Sequence, residues 1–219
     1  MLPASPPSLP SPTTRVAVYI DGLNLFHSVL KGTSHKWLDL AKLMKVLRNR
    51  EEVVAVKYFT AIISGSDQPK QQAYLNALEA SDPVVRVILG HFQSERETCR
   101  VPPSQCVAVM RDFYRSREKQ TDVGIAVEMV DDAHRNLFDA AVLVSGDSDL
   151  VPAVKKVVSL GKSVLSYIPF AGTKLGDYAR ELRGASTRYT QLPTALFPKM
   201  QLPSPINTTN GPVVKPVGW

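Results

Sequence analysis

Short, continuous apolar runs that alternate with helical patterns constrain the fold of this chain more than any other feature. Each run is rich in Val, Ile or Leu and is bounded by polar or turn residues. Strands of this kind are typical of a mainly parallel sheet that helices cover on both faces. The sequence therefore predicts a doubly wound α/β fold. The predicted strands are Arg15–Ile20, Val53–Ile63, Val84–Leu89, Gln105–Met110, Ala140–Ser145, Ser163–Ile168 and Thr187–Gln191.

The segments between these strands carry helical periodicity. In the helix predicted over Thr121–His134, Val123, Val127 and Val130 are expected to share one face. The other predicted helices are Leu23–Leu30, Leu38–Leu47, Gln68–Ala80, Asp149–Ser159 and Thr173–Arg183.

Proline-rich segments flank the predicted domain. Residues 1–14 and 193–219 hold repeated prolines and little that could pack. Such segments do not bury enough apolar surface to offset the entropy lost on ordering. We therefore predict one folded domain over residues 15–192, with a disordered tail on each side.

Composition narrows the classes of partner and location. The formal net charge is +6 and the pI is about 9.3, which suits a polyanionic partner such as RNA. No apolar run reaches the roughly 18 residues of a membrane span. The first residues lack the basic and apolar regions of a secretory signal. These features predict a cytoplasmic protein without a membrane partner.

The two cysteines, Cys99 and Cys106, raise the alternative of a zinc site. A structural zinc site needs four ligands, and His91 is the only histidine nearby in the sequence. Thiols without a metal are therefore favoured.

Carboxylates follow two of the predicted strands directly. Asp21 comes after Arg15–Ile20, and Asp147 and Asp149 come after Ala140–Ser145. Parallel strands end at one edge of the sheet, where ligands of such sheets bind. Carboxylates gathered there repel one another unless a cation is present, and hard divalent ions such as Mg²⁺ or Mn²⁺ prefer oxygen ligands. The sequence thus predicts a metal site at this edge.

Three points stay open from the residues alone. An Asp after a strand is often a helix N-cap, and Asp149 suits that role. Asn24, three residues after Asp21, is either a ligand for water or phosphate or an ordinary turn amide. Asp122, at the start of a predicted helix, reaches the same edge only if the chain before it crosses the sheet first.

Three blocks of sequence resemble the NYN domain family of PIN-like nucleases, which includes the LabA-like bacterial proteins. The blocks are Val18–Leu25 (VYIDGLNL), Glu118–Ala126 (EKQTDVGIA) and Leu143–Pro152 (LVSGDSDLVP). They occur in the family's order, and the resemblance covers about residues 15–192. It implies a PIN-like three-layer α/β/α sandwich and cleavage of RNA that depends on a divalent metal, Mg²⁺ or Mn²⁺.

The resemblance also implies roles for individual residues. Asn24 matches the amide beside the first Asp, and Ser145 matches the small hydroxyl residue at the end of a core strand, so we expect both to bind substrate. Many relatives have Asp where this chain has Glu128, which lies off the face of Asp122 and is left out of the metal set. The implied catalytic and metal-binding residues are Asp21, Asp122, Asp147 and Asp149.

A basic run over Arg111–Lys119 interleaves cations with aromatic residues and leads into the helix of Asp122. This pattern suits phosphate contact and base stacking. It predicts that Arg115, Arg117 and Lys119 contact RNA, with a solvated loop as the alternative.

Two other kinds of phosphate enzyme fit the sequence less well. A haloacid-dehalogenase-type phosphatase has D-x-D after its first strand, and a Toprim domain has an early Glu, whereas this chain has Asp21 alone. The alternative outside enzymes is an RNA-binding regulatory protein with an idle site. The RNA target, the choice of metal and the formation of a homo-oligomer stay open.

Overall fold

A computed structural model describes residues 13–99, 101 and 112–219, with the backbone alone at 94–95 and 113–118. A single seven-stranded sheet forms the centre of this part of the chain. Its strands are β1 (Arg15–Asp21), β2 (Glu52–Ala61), β3 (Val85–Thr98), β4 (Asp112–Lys119), β5 (Ala140–Val144), β6 (Ser163–Ile168) and β7 (Arg188–Gln191). The strand order is β4-β3-β2-β1-β5-β6-β7. All neighbours pair in parallel except β3 and β4, which are antiparallel.

Helices cover both faces of this sheet. They are α1 (Gly22–Leu25), which continues as a π-helical turn Phe26–Leu30, α2 (Leu40–Leu47), α3 (Gln68–Ser81), α4 (Thr121–His134), α5 (Val151–Ser159) and α6 (Arg180–Ala185). Side chains alternate between the two faces of a strand. In β1, Val18 and Ile20 join the core under α1, α2 and α3, whereas Tyr19 joins the core under α4, α5 and α6. The predicted three-layer α/β/α sandwich is therefore confirmed.

The strand order reverses at β1, which pairs with β2 on one side and with β5 on the other. Connections from the two neighbouring strands then leave in opposite directions and open a crevice at their carboxyl ends. Asp21 ends β1, and Ser145 follows β5. The predicted site residues therefore lie at the point of the sheet where a crevice is expected.

An antiparallel arm explains how Asp122 reaches the same edge. β3 pairs with β2 only as far as Gly90, and residues 91–98 continue beyond the sheet and pair with β4. β4 runs back and ends at Lys119, opposite His91. Because α4 begins two residues later, its first turn lies at the carboxyl edge of the parallel strands. The route is a hairpin, which the sequence analysis did not predict.

Helix α4 does not bury the face on which Val123 and Val127 lie. Val123 and Val127 are 65% and 59% exposed, whereas Ile125, Met129 and Ala133 are buried. Both sets recur every four residues, so periodicity alone does not distinguish them. The stripe with the larger side chains, Ile125 and Met129, is the one that packs on the sheet.

The prediction of a disordered tail after Leu192 is wrong. A 3₁₀ helix spans Thr194–Lys199, and a small hairpin joins β8 (Ile206–Thr208) to β9 (Gly211–Val213). Phe197 is 1% exposed within the core on the α1–α3 side, and Trp219 packs against the same core. Scattered apolar side chains between the prolines supply enough burial to order this segment.

The helix predicted over Thr173–Arg183 is wrong in its first half, because Gly176 and Ala179 adopt left-handed conformations and α6 begins only at Arg180. The predicted strand Gln105–Met110 and residues 1–12 of the predicted first tail lie outside the described residues. Within the described part of the chain, no helix is long and apolar enough to cross a membrane.

Candidate active site

Three carboxylates converge in the crevice beside β1. One oxygen from each of Asp21, Asp122 and Asp147 can be chosen so that all three atoms lie within 4.8 Å of one another. Asp21 is 3% exposed and ends β1, Asp122 lies in the first turn of α4, and Asp147 lies in the loop after β5. Three separate elements thus contribute one carboxylate each.

The Ser145 hydroxyl connects two of these acidic residues. It donates a hydrogen bond of 2.9 Å to Oδ2 of Asp21 and accepts one of 3.0 Å from the backbone N–H of Asp147. Ser145 is completely buried. The buried hydroxyl therefore orients Asp21 and the backbone of Asp147. Its burial does not favour the predicted contact of Ser145 with substrate.

Asn24 fixes the two loops of the crevice relative to each other. Its Oδ1 accepts a hydrogen bond of 3.0 Å from the backbone N–H of Gly146. Its own backbone N–H donates to Oδ1 of Asp21 at 2.9 Å, so Asp21 is the N-cap of α1. Capping and membership of an acidic cluster, which the sequence analysis treated as alternatives, coexist in Asp21.

Asp149 takes a more distant position than predicted. Its side chain is exposed, and it is not among the three residues that converge. Nor does it cap α5, whose N-cap is Leu150 and whose first turn contains Pro152. Asp147 is the N-cap of the preceding 3₁₀ turn and accepts a hydrogen bond of 2.9 Å from the Asp149 N–H.

The electrostatics of the crevice are those of crowded like charges. Burial, followed by the charges of Asp21, Asp147 and Asp149, raises the pKa of Asp122 from 3.8 to about 6. A divalent cation bound among the carboxylates would reverse this effect, since it favours the charged form. The donor set, three carboxylates, matches the oxygen preference of Mg²⁺ and Mn²⁺.

Two glycines allow aromatic side chains to approach the crevice. A Cβ on Gly146 would lie 2.7 Å from the Tyr178 hydroxyl oxygen, and one on Gly22 would lie 2.6 Å from Cζ of Tyr58. Tyr178 stacks on Phe170 with 5.0 Å between ring centroids. The sequence analysis missed Tyr178, because nothing local to residues 173–179 indicates that this segment returns to the loop after β5.

Other residues considered in the sequence analysis are not members of the converging set of three carboxylates. Glu128 pairs with Lys57, in agreement with its exclusion from the metal set. Lys119 ends β4, three positions before Asp122, and stays a predicted RNA contact. The side chains of Arg115 and Arg117 lie outside the described part of the chain. Cys106 also lies outside it, so the zinc alternative for Cys99 and Cys106 stays untested.

Comparison with known proteins gives a family match and two similar proteins. The sequence model of the NYN domain family matches residues 15–192. The chain is also similar to 6-hydroxy-3-succinoylpyridine 3-monooxygenase HspA of Pseudomonas putida (strain DSM 28022 / S16), with 26% identity over 243 aligned residues that cover 96% of this chain and 77% of that protein. The fold of the present chain is similar to that in the crystal structure of VPA0982, a protein of unknown function from Vibrio parahaemolyticus RIMD 2210633. That comparison has a TM-score of 0.52 and 20% identity, and covers 82% of this chain and 93% of the other.

Proposed function

Because the chain belongs to the NYN domain family, we propose that it is a ribonuclease that depends on Mg²⁺ or Mn²⁺. The observation that carries this proposal is the convergence of Asp21, Asp122 and Asp147 at the reversal point of the sheet. The net charge of +6 supports a polyanionic substrate.

Asp21 and Asp147 are proposed as direct metal ligands, and Asp122 and Asp149 as ligands that bind directly or through water. A bound divalent cation would neutralise charge on the phosphodiester and promote ionisation of the attacking water. In the hydrolysis, a bond forms between the water oxygen and phosphorus. The bond from phosphorus to the leaving ribose oxygen breaks, and that oxygen takes up a proton.

The surrounding residues hold the ligands in place. Ser145 orients Asp21 and the backbone of Asp147, and Asn24 holds the loop of Gly146. Lys119, Arg115 and Arg117 are proposed to bind RNA phosphates where the arm of β3 and β4 meets the crevice. These assignments rest on sequence position and on the course of the backbone.

The test is cleavage of a labelled, structured RNA with Mn²⁺, Mg²⁺ or EDTA. We compare wild type with Asp147→Asn and with Asp177→Asn, a control whose carboxylate is 92% exposed. Metal-dependent cleavage that Asp147→Asn abolishes and Asp177→Asn preserves supports the nuclease. Unchanged cleavage by Asp147→Asn contradicts the proposed centre, and salt-sensitive RNA binding without cleavage favours the RNA-binding alternative.

A second candidate function is oxidation of a hydroxylated pyridine. It is favoured by the similarity, over 96% of this chain, to a protein named as a monooxygenase of such a compound. The assay supplies 6-hydroxy-3-succinoylpyridine, O₂ and a reduced nicotinamide as electron donor. Substrate-dependent O₂ consumption with no RNA cleavage would make this the preferred function.

A further inference from the structure

A cavity of about 140 Å³ lies on the α1–α3 side of the sheet. Gly22 lines it, and Gly22 is the residue after Asp21. Consecutive Cα atoms are about 3.8 Å apart, so the cavity wall begins one residue from a proposed metal ligand.

Aromatic side chains form much of the cavity wall. Tyr74 is at their centre, with its ring centroid 6.2 Å from that of Tyr58 and 5.5 Å from that of Trp219. Tyr74 and Tyr58 are 4% and 6% exposed. Gln71 holds the wall in place, because its amide accepts from the Ile63 N–H and donates to the Ala61 carbonyl. The wall is therefore rigid and suits a planar, polarisable ring.

The cavity is also polar enough to select a heterocycle over a hydrocarbon. Thr60 is 1% exposed and contributes to the lining, together with Lys36 and Asp67. A hydroxyl, an ammonium and a carboxylate offer donors and acceptors to the edge of a ring.

The volume of the cavity matches that needed by a single six-membered ring. An apolar cavity of about 150 Å³ accommodates a single benzene molecule. A purine has a second fused ring, so part of a purine would remain outside this space. The dimensions thus fit a six-membered heterocycle with polar substituents.

We propose that this cavity binds the pyrimidine base of a nucleotide whose phosphate lies at Asp21, Asp122 and Asp147, so that cleavage occurs beside uridine or cytidine. The inference rests on the proposed ribonuclease function and adds its base preference. The base leaves its stack with neighbouring bases and is held by the aromatic wall, as is common in recognition of single-stranded RNA.

The test measures binding of UMP, CMP, AMP and ribose 5-phosphate to the full chain by calorimetry with Mn²⁺ present. UMP and CMP are expected to bind at least about fivefold more tightly than AMP or ribose 5-phosphate, because stacking of a base is a substantial part of such affinity. Trp219→Ala should lower the affinity for UMP about fivefold to tenfold and leave that for ribose 5-phosphate unchanged. The control is Val217→Ala, in the same segment at a side chain that is 94% exposed.

Thr60→Val provides a second variant with nearly the same shape. Its expected result is weaker discrimination between UMP and ribose 5-phosphate. Equal affinity of wild type for these two ligands would overturn the inference, and so would equal loss of both in Trp219→Ala. Binding of 2-hydroxypyridine without binding of UMP or CMP would show that the cavity takes a free heterocycle and would overturn the assignment to RNA.

This inference and the proposed function fail in different experiments. Preferential binding of UMP and CMP without RNA cleavage contradicts the ribonuclease and not the base site. Metal-dependent cleavage with no preference among nucleotides contradicts the base site and not the ribonuclease.

Discussion

Ser145 donates its hydroxyl hydrogen to Asp21 over 2.9 Å, although the two residues are 124 positions apart in the chain. The same oxygen accepts the backbone N–H of Asp147. One buried hydroxyl therefore sets the relative positions of two proposed metal ligands from different strands.

Ser145→Ala is expected to lower Mn²⁺ affinity or cleavage rate roughly tenfold to 100-fold, as the loss of a residue that orients metal ligands commonly does. The variant leaves one hydrogen bond of Asp21 and one of the Asp147 N–H unmade. Calorimetric titration of Mn²⁺ measures the effect, with Ser159→Ala on α5 as a control far from the carboxylates. Equal Mn²⁺ affinity in Ser145→Ala and wild type would show that the hydroxyl has no such role.

Asp122 makes the stability of the metal-free protein depend on pH. The pKa of Asp122 is about 6 in the folded chain, whereas a free Asp side chain, which represents the unfolded chain, has a pKa of 3.8. Between these two pH values the folded state therefore binds a proton that the unfolded state lacks. The contribution of Asp122 to the free energy of unfolding therefore falls as pH rises from about 4 to about 6, and it is lost above that range. Added metal should oppose this loss, because it stabilises the ionised carboxylates.

Asp122→Asn removes that charge. In EDTA at pH 7.5 it should raise the free energy of unfolding by roughly 1 kcal/mol, after allowance for the solvent around this half-buried carboxyl, and at pH 4 it should have little effect. Urea unfolding at the two pH values measures the difference, with Asp131→Asn on the same helix as the control. A larger gain at pH 4 than at pH 7.5 would contradict the assigned pKa.

Gly22 and Gly124 should respond oppositely to replacement by alanine. A Cβ on Gly22 would lie 2.6 Å from a backbone oxygen of Phe59, whereas a Cβ on Gly124 meets only the Phe59 ring at 3.6 Å. Gly22→Ala should cost about 1–3 kcal/mol of stability through overpacking. Gly124→Ala, inside α4, should gain roughly 0.5–1 kcal/mol from reduced backbone entropy in the unfolded chain. Chemical unfolding of both variants checks the two signs, and a neutral Gly22→Ala would disprove the close packing.

Asp132 is the centre of a buried network beneath α4. It accepts hydrogen bonds of 2.6 Å from both Tyr19 and Lys57 and is 4% exposed. Asp132→Ala should destabilise the protein by about 1.5–3 kcal/mol, because Tyr19 and Lys57 lose a buried charged acceptor and Lys57 keeps only the more exposed Glu128. The matched change Asp131→Ala, at an exposed pair with Arg135, should cost less than about 0.5 kcal/mol. Thermal unfolding that shifts equally in both variants would refute the network's contribution.

Local patterns in the sequence were sufficient to predict the helices and strands near the site. The predicted bounds of α4 and β6 match the structure, and β1 and β5 differ from prediction by one residue. These elements have continuous apolar runs or clear periodicity, so propensity and tertiary packing favour the same structure. The convergence of Asp21 with Asp147 could be predicted, because the carboxyl ends of parallel strands lie at the same edge of the sheet.

Other parts of the fold depend on contacts between distant segments. The return of β4, which delivers Asp122, is a pairing with residues 91–98 and has no apolar pattern to indicate it. The ordering of Phe197 and Trp219 depends on a core supplied by other parts of the chain. Asp149 illustrates a different difficulty: a two-residue spacing from Asp147 does not reveal which carboxylate turns towards the crevice.

The long separation between Ser145 and Asp21 also bears on the order of events in folding. No local fragment contains both sides of the crevice, and joining them requires closure of a loop longer than 100 residues, which is entropically costly and slow. A nascent or partly refolded chain therefore has helices and neighbouring strand pairs before it has a metal centre. Metal binding at the proposed centre would therefore require completed topology, and the proposed cleavage of RNA would be confined to molecules that have finished folding.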